Sequence, residues 1–134
     1  MSIFINQSET INVKFFIALG NDGHTIYADK DKEVIIKEKN VNQNTIKEHQ
    51  AIFYRPSYKN EVDILAGAMN TSGEADGSIR LNFAAISYKR FITLLKEWTL
   101  TDDNGQPIPA TKENVDRLHP AVARSIISAL DELI

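Results

Sequence analysis

Histidines are the first side chains to examine for chemistry, because imidazole is both a common metal ligand and a common catalytic base. The chain has three, His24, His49 and His119, which are far apart in the sequence and have no partner at helical spacing. A metal site needs several nitrogen or oxygen ligands that converge on one point. We therefore expect no metal site, and we place His24 in a hairpin and His119 at the start of a helix.

The segment TDDNG, residues 101–105, superficially resembles a calcium-binding loop. Such a loop requires oxygen ligands at alternate positions before its glycine, and counting back from Gly105 puts Leu100 in the first ligand position. The pattern instead predicts a tight turn, in which Asp102, Asp103 and Asn104 hydrogen-bond to nearby backbone and Gly105 takes a left-handed conformation.

Motifs of catalysis and cofactor binding are missing from the sequence. It contains no G-x-S-x-G nucleophile elbow, no phosphate-binding G-x-x-x-x-G-K-[ST] and no G-x-G-x-x-G. It contains no cysteine, which excludes thiolate catalysis, disulfides and zinc–thiolate sites. The carboxylate pairs at 102–103 and 131–132 are adjacent on expected surface segments, where nothing predicts the raised pKa that a general acid needs. We expect a protein that is not an enzyme and binds no cofactor.

The charge balance argues against nucleic-acid binding, because 15 basic and 18 acidic residues give a net charge of −3. Four lysines within residues 30–39 alternate with aspartate and glutamate, a pattern typical of a solvated strand and turn. The longest apolar run, residues 15–19, is far shorter than the ~20 residues that cross a bilayer. The amino-terminal residues also lack the pattern of a signal peptide, so we expect a soluble, cytoplasmic protein with no membrane partner.

The first part of the chain, residues 1–56, is predicted to form strands. Apolar and polar residues alternate over residues 11–15, and residues 20–23 supply glycines that tolerate a hairpin turn. Pro56 disfavours a helix at the residue before it. Further strands are expected at residues 25–28, 33–37 and 50–55.

The second part of the chain, residues 57–134, is predicted to form helices. Ser57 is an expected N-cap, and Thr111 is expected to cap a short helix. Pro120 fits the first turn of the last helix, where its missing N–H costs nothing. Residues 70–78 are polar and contain glycine, so we expect an exposed loop there.

The strongest predicted helix covers residues 79–98. Apolar side chains recur along it at spacings of four and three, which places them on one stripe: Ala84, Tyr88, Phe91, Leu95 and Trp98. The whole pattern predicts an α+β fold, with a small amino-terminal antiparallel β-sheet followed by a carboxy-terminal helical half. A length of 134 residues suits a single domain, residues 1–134.

The carboxy-terminal part carries a pattern that resembles a known family. A predicted helix ends in LLKEW at residues 94–98, TDDNGQPIP follows at residues 101–109, and TKENVDRL at residues 111–118 precedes a terminal helix. This resembles the small tail assembly chaperones of long-tailed bacteriophages, in which a helix ending near tryptophan leads into an aspartate–glycine turn, a proline pair and a capped helix. FYRPSYKNEV, residues 53–62, is similar to the segment before their helical region.

The resemblance covers residues 53–133 and implies a non-enzymatic assembly factor of the infected host's cytoplasm. Members of the family associate with the tape-measure protein, keep that long helical chain soluble and recruit tail-tube subunits. They are generally absent from the finished virion, and in many phages a longer form arises by translational frameshifting.

A chaperone for such a client needs an apolar groove with a polar rim, because the client exposes apolar stripes. Aromatic and arginine side chains are favoured at interfaces. The residues expected to contact the client are Phe53, Tyr54, Arg55, Tyr58, Phe91 and Trp98. For Phe91 and Trp98 the alternative is a position in the core, and for Arg55 it is an ion pair with a carboxylate such as Glu61.

A second hypothesis is a structural component of the particle, either a tail-completion protein or a head–tail connector protein. The strand-rich first half favours it, because sheet edges can pair between subunits to build rings. A small enzyme is the third hypothesis and requires a concave cluster of titratable groups. The sequence does not fix the oligomeric state, although exposed strands and an apolar terminal helix are compatible with a homo-oligomer.

Overall fold

A four-stranded antiparallel sheet organises the computed structural model, which describes residues 3–6, 8–38, 40–70, 80–81 and 83–134. In chain order the elements are β1 (Thr10–Leu19), β2 (Ile26–Asp29), α1 (Lys32–Lys37), β3 (Lys47–Tyr54), α2 (Tyr58–Ala68), β4 (Met69–Asn70), β5 (Arg80–Leu81), α3 (Phe83–Leu94), β6 (Leu95–Trp98), α4 (Lys112–Asp116) and α5 (Pro120–Asp131). The sheet has the strand order β2-β1-β3-β6. Strands that fall mostly in the first half and helices mostly in the second confirm the predicted α+β class.

Strand β1 shows the predicted alternation over residues 11–15. Ile11, Val13 and Phe15 are buried on one face of the sheet, the core face, and the intervening side chains are exposed on the opposite, outer face. Beyond residue 15 both faces are covered, because Ala18 packs against α1 in a second, smaller cluster on the outer face.

The third predicted strand, at residues 33–37, is wrong, because these residues form most of α1. The side chain of Asp31 accepts a hydrogen bond from the Glu33 N–H at 2.9 Å and so caps the helix. Ile35 is buried against Ala18 of β1 in the smaller cluster. The short apolar run fits a strand and a helix equally well, and the capping aspartate decides for the helix.

Helix α2 begins where predicted. The Ser57 hydroxyl accepts a hydrogen bond from the Asn60 N–H at 3.2 Å, and the Asn60 side-chain oxygen accepts one from the Ser57 N–H at 2.9 Å. The helix leads into β4, which pairs with β5 in a two-stranded hairpin. The loop predicted at residues 70–78 lies outside the described residues, except for Asn70 in β4.

The single helix predicted over residues 79–98 is wrong at both ends. Its first residues include β5, its middle forms α3, and its last four residues form β6 against β3. Leu95 lies opposite Phe53 and Trp98 lies opposite Ala51 in this ladder. Pairing with a strand distant in sequence therefore overrides the helical spacing of the apolar residues.

The connector after β6 folds back as a hairpin. The Ile108 N–H donates to the Leu100 carbonyl at 3.0 Å, and Asp102 Oδ1 accepts from two backbone N–H groups of the turn, at 2.8 and 2.9 Å. Gly105 has a φ of +77°, the left-handed conformation that the sequence predicts. The predicted tight turn is confirmed, with Asp102 as the side chain whose hydrogen bonds to the turn backbone the structure shows.

Helix α5 packs on β1 and β2 and begins with Pro120, as predicted. Its Ile126 and Leu130 side chains are buried in the main core. That core is one cluster of residues from Ile11 to Leu130, so the sheet and the helices share it.

Candidate protein-binding surface

Phe53 and Phe91, both expected to contact a client, lie in the core. Phe53 is 0% exposed and Phe91 is 1% exposed. Their rings meet edge to face, with centroids 5.5 Å apart, and so join β3 to α3. Neither side chain offers surface to a partner in this structure. Phe91 therefore occupies the core position that was its alternative to a client contact.

Trp98 is half-buried in β6, on the edge of the sheet where the connector folds back. Its indole N–H donates to the Ile108 carbonyl at 2.6 Å, and its ring packs against the main core. The tryptophan therefore fastens the far strand of the connector hairpin to the sheet. This contact occupies the one donor of the indole.

Tyr54 and Arg55 lie at the end of β3 and are accessible. Tyr54 is 39% exposed, and Lys96 Nζ lies 5.8 Å from the centroid of its ring, within cation–π range. Arg55 Nε lies 3.6 Å from a carboxylate oxygen of Glu9, so its carboxylate partner is Glu9 and not Glu61. Exposed aromatic and guanidinium groups are the side chains enriched at protein interfaces.

Helix α2 presents a row of exposed apolar side chains. Tyr58 is 86% exposed, Val62 is 44% exposed and Leu65 is 41% exposed. Spacings of four and three residues place these side chains, the α2 stripe, on one side of the helix. Ile64 and Ala68 are the buried residues of α2 and face the core.

The sequence pattern singles out Tyr58 as an expected contact but not Val62 or Leu65. Their spacing relative to Tyr58 is a readable signal of one helical face. The direction of that face depends on how Ile64 and Ala68 dock the helix into the main core, which is a tertiary contact. Sequence spacing alone does not tell an inward stripe from an outward one.

Two open clefts, of about 520 and 470 Å³, flank the junction between β3 and α2, and Ile5 and Arg55 line both. Ile5 is 41% exposed, so it adds an apolar side chain beside the Arg55 guanidinium. The larger cleft is also lined by Pro56, Glu61, Arg90, Asp131 and Ile134. The smaller cleft is also lined by Tyr54, Ser57, Lys59, Asn60, Thr93 and Leu94.

Arg90 is the most enclosed charge of the larger cleft, with a side chain that is 21% exposed. It lies 3.3 Å from Glu61 of α2 and 3.4 Å from Asp131 of α5, and so ties three helices together. Its Nε is buried and has no hydrogen-bond partner within the described part of the chain. Because both arginines of the cleft already pair with carboxylates, the cleft suits the polar rim of a protein contact better than an anion site.

The histidines occupy separate places. His24 lies in the turn after β1, where hydrogen bonds from the Thr25 hydroxyl, the Thr25 N–H and the His24 N–H lower the pKa of the Asp22 carboxyl to about 2. His119 Nδ1 accepts from the Ala121 N–H at 3.1 Å and caps α5. The predicted hairpin and helix-start positions are confirmed.

His49 projects from β3 towards the core face and stacks on Phe15, with ring centroids 5.7 Å apart. Burial lowers the pKa of its imidazole, because the neighbouring apolar groups solvate the cation poorly. In the residue ranges given above, no three histidine, aspartate or glutamate side chains converge as metal ligands would.

Comparison with known proteins gives no further assignment: no family model, curated protein or solved structure matches this chain. Among the described helices, none combines the length and apolar character needed to span a membrane.

Proposed function

We propose that this protein is a non-enzymatic assembly chaperone of long-tailed bacteriophages, which binds the tape-measure protein and tail-tube subunits in the host cytoplasm. The observation that carries the proposal is the α2 stripe, because three apolar side chains at helical spacing face solvent on a helix that the core holds in place. The family is inferred from the residue pattern of positions 94–118, although Trp98 ends strand β6 and not the helix that the resemblance implies. No cofactor, nucleic acid or membrane takes part in the proposed function.

An outward helical stripe fits a helical client. A second amphipathic helix can pack its own apolar side chains between those of Tyr58, Val62 and Leu65, as helices do when their ridges meet grooves. Burial of apolar surface is favourable by about 25 cal/mol per Å² and tolerates many client sequences, because it has no directional requirement.

The polar groups beside the stripe give orientation. Tyr54 and Arg55 lie a few residues before α2, and Lys59 lies within the helix next to Tyr58. Charged groups at the rim of an interface mainly set the association rate and the register, while the apolar centre supplies affinity. We therefore infer that the α2 stripe supplies the affinity for the client, and that Tyr54 and Arg55 form part of the rim that sets the association rate and register.

Co-expression with the tape-measure protein of the same phage tests the proposal. We expect the wild-type chain to keep that client soluble and to co-purify with it. A variant that combines Tyr58→Ser, Val62→Ser and Leu65→Ser is expected to lose both effects. Val34→Ser on α1 is the matched control, since Val34 is 42% exposed, and it is expected to behave as wild type. A wild-type protein that neither solubilises nor retains the client contradicts the proposal.

The second candidate remains a tail-completion or head–tail connector protein. The observation that favours it is the side of β1 that faces away from β3, which has no partner strand over residues 10–15 within the described part of the chain. Mass spectrometry of purified particles separates the candidates, because a chaperone is absent from the finished particle and a connector protein is present.

A further inference from the structure

The amino-terminal half of β1 is paired on one side and open on the other. Strand β3 pairs with β1 over residues 10–17, whereas β2 pairs with it over residues 16–19 alone. Residues 10–15 therefore form a sheet edge where β2 has ended. We call this segment the β1 edge.

The hydrogen-bond alternation identifies which groups face this edge. The Arg55 N–H donates to the Glu9 carbonyl at 3.0 Å, so odd-numbered residues of β1 direct their backbone groups to β3. The even-numbered residues Thr10, Asn12 and Lys14 consequently direct their N–H and C=O groups to the open side. Within the described part of the chain these three donors and three acceptors have no backbone partner.

The open side is accessible. A cleft of about 650 Å³ lies there, bounded by Val13 and Lys14 of β1, by the segment after β2, and by the end of α5. Lys30 and Glu132, which both line this cleft, form a salt bridge in which Lys30 Nζ lies 2.5 Å from Glu132 Oε1. Leu133, which also lines the cleft, is 51% exposed. Unpaired strand edges of this kind form hydrogen bonds with an added strand.

We propose that the β1 edge pairs, antiparallel, with the β1 edge of a second copy of this chain, about a two-fold axis at Asn12. The edge is complementary to itself in this register. Asn12 lies opposite Asn12, and each Thr10 lies opposite the partner's Lys14, so that no like charges face each other. A two-fold axis perpendicular to the sheet keeps both α5 helices on the same side of the shared sheet.

This inference does not depend on the proposed function, because the β1 edge and the α2 stripe share no residue. Pairing through the same surface on both copies closes the assembly at two chains and leaves no free β1 edge. A dimer of this kind presents two α2 stripes, and two linked binding sites raise the apparent affinity for a client long enough to reach both.

Sedimentation equilibrium with a proline variant tests the pairing. Asn12→Pro removes the central edge N–H without removing a hydrogen bond to β3, and proline is tolerated at such edge positions. Asn12→Ala is the matched control, because it also loses the side-chain contact to Gln50 but keeps the N–H. We expect wild type and Asn12→Ala to dimerise and Asn12→Pro to be monomeric. A monomeric wild type, or equal dimerisation of both variants, overturns the proposal.

A charge pair tests the register and does not depend on the proline variant folding. The Thr10–Lys14 contact occurs twice in the dimer, once on each side of the two-fold axis. Thr10→Glu places a carboxylate opposite the partner's Lys14 in both contacts, whereas Thr10→Lys places a second positive charge opposite it in both. We expect the dimer dissociation constant to fall for the first and rise for the second, each by roughly 2- to 30-fold relative to wild type. Equal dissociation constants overturn the register centred on Asn12.

Amide hydrogen exchange gives an internal control. The Thr10, Asn12 and Lys14 amides are expected to exchange more slowly as protein concentration rises, whereas the Ile11 and Val13 amides are protected at every concentration because they already pair with β3. Protection of the three edge amides that appears only with another polypeptide assigns the edge to that partner and overturns self-pairing.

Discussion

The core pair Phe53 and Phe91 and the α2 stripe contain similar apolar and aromatic side chains. The pair is buried, whereas the stripe faces solvent. The two phenylalanines close the contact between sheet and helix, with neither ring exposed by more than 1%. The stripe places an equally large ring, that of Tyr58, almost wholly in solvent. Apolar side chains inside the core stabilise the fold, whereas the exposed parts of the stripe side chains are accessible to the partner that the proposed function requires.

The largest effect is expected for Phe53→Ala. Emptying this site removes the edge-to-face contact with Phe91 and leaves a cavity, which costs about 3–5 kcal/mol of the free energy of unfolding. Urea denaturation of the purified variant measures the loss, and Phe53→Leu, which retains most of the volume, is expected to lose less. A loss below about 1 kcal/mol would show that the core does not depend on this ring. The contrast between the buried phenylalanine pair and the exposed α2 stripe would then not hold.

A smaller effect is expected for Trp98→Phe. The change removes the hydrogen bond to the Ile108 carbonyl, and a bond of this kind contributes about 1 kcal/mol. We expect the amide of Ile108, which donates to Leu100, to exchange faster with solvent, as followed by NMR. Unchanged exchange would mean that the connector is held by other contacts.

His49 is expected to make the free energy of unfolding depend on pH. Burial lowers the pKa of His49 in the folded state below the ordinary value of 6.5, so the unfolded chain binds more protons between these two values. The stabilisation is fully present above pH 6.5 and is lost as the pH falls towards the folded-state pKa. Urea denaturation across this range follows the loss, and His49→Gln is expected to remove that part of the dependence. Asp22 titrates far lower, with a pKa of about 2.

The smallest stability effect is expected for the α2 stripe itself. Val62→Ser, at a side chain that is 44% exposed, should change the free energy of unfolding by no more than about 0.5 kcal/mol. Ile64→Ser, two residues further along α2, is the inward comparison and should cost several times more, because Ile64 is fully buried. Equal losses at the two positions would show that the stripe is structural.

Local patterns predicted the elements whose signals lie within the element. The alternation of residues 11–15, the Gly105 turn and the Pro120 helix start all appear as predicted, because each depends on neighbouring residues. The errors at α1 and β6 have another origin. Trp98 and Leu95 fit a helical stripe, yet β3 offers them a ladder and a core face that helical spacing does not reveal.

The candidate surface was predictable only in part for the same reason. Tyr54, Arg55 and Tyr58 follow from their types and from the strand-to-helix junction, and the structure leaves all three exposed. Phe53 and Phe91 have equally suitable types but face inward. Residue type predicts what a surface can do, whereas exposure depends on the packing of α2 and α3 against the sheet.

The affinity for the proposed client, the tape-measure protein, tests the central claim most directly. Isothermal titration of purified client with wild type, with the Tyr58→Ser, Val62→Ser and Leu65→Ser combination, and with Val34→Ser compares the stripe with a control that is about as exposed as Val62 and Leu65. We expect the combination to raise the dissociation constant about 30-fold or more and the control to leave it within about twofold. A combination variant that folds normally and binds the client as tightly as wild type contradicts the account.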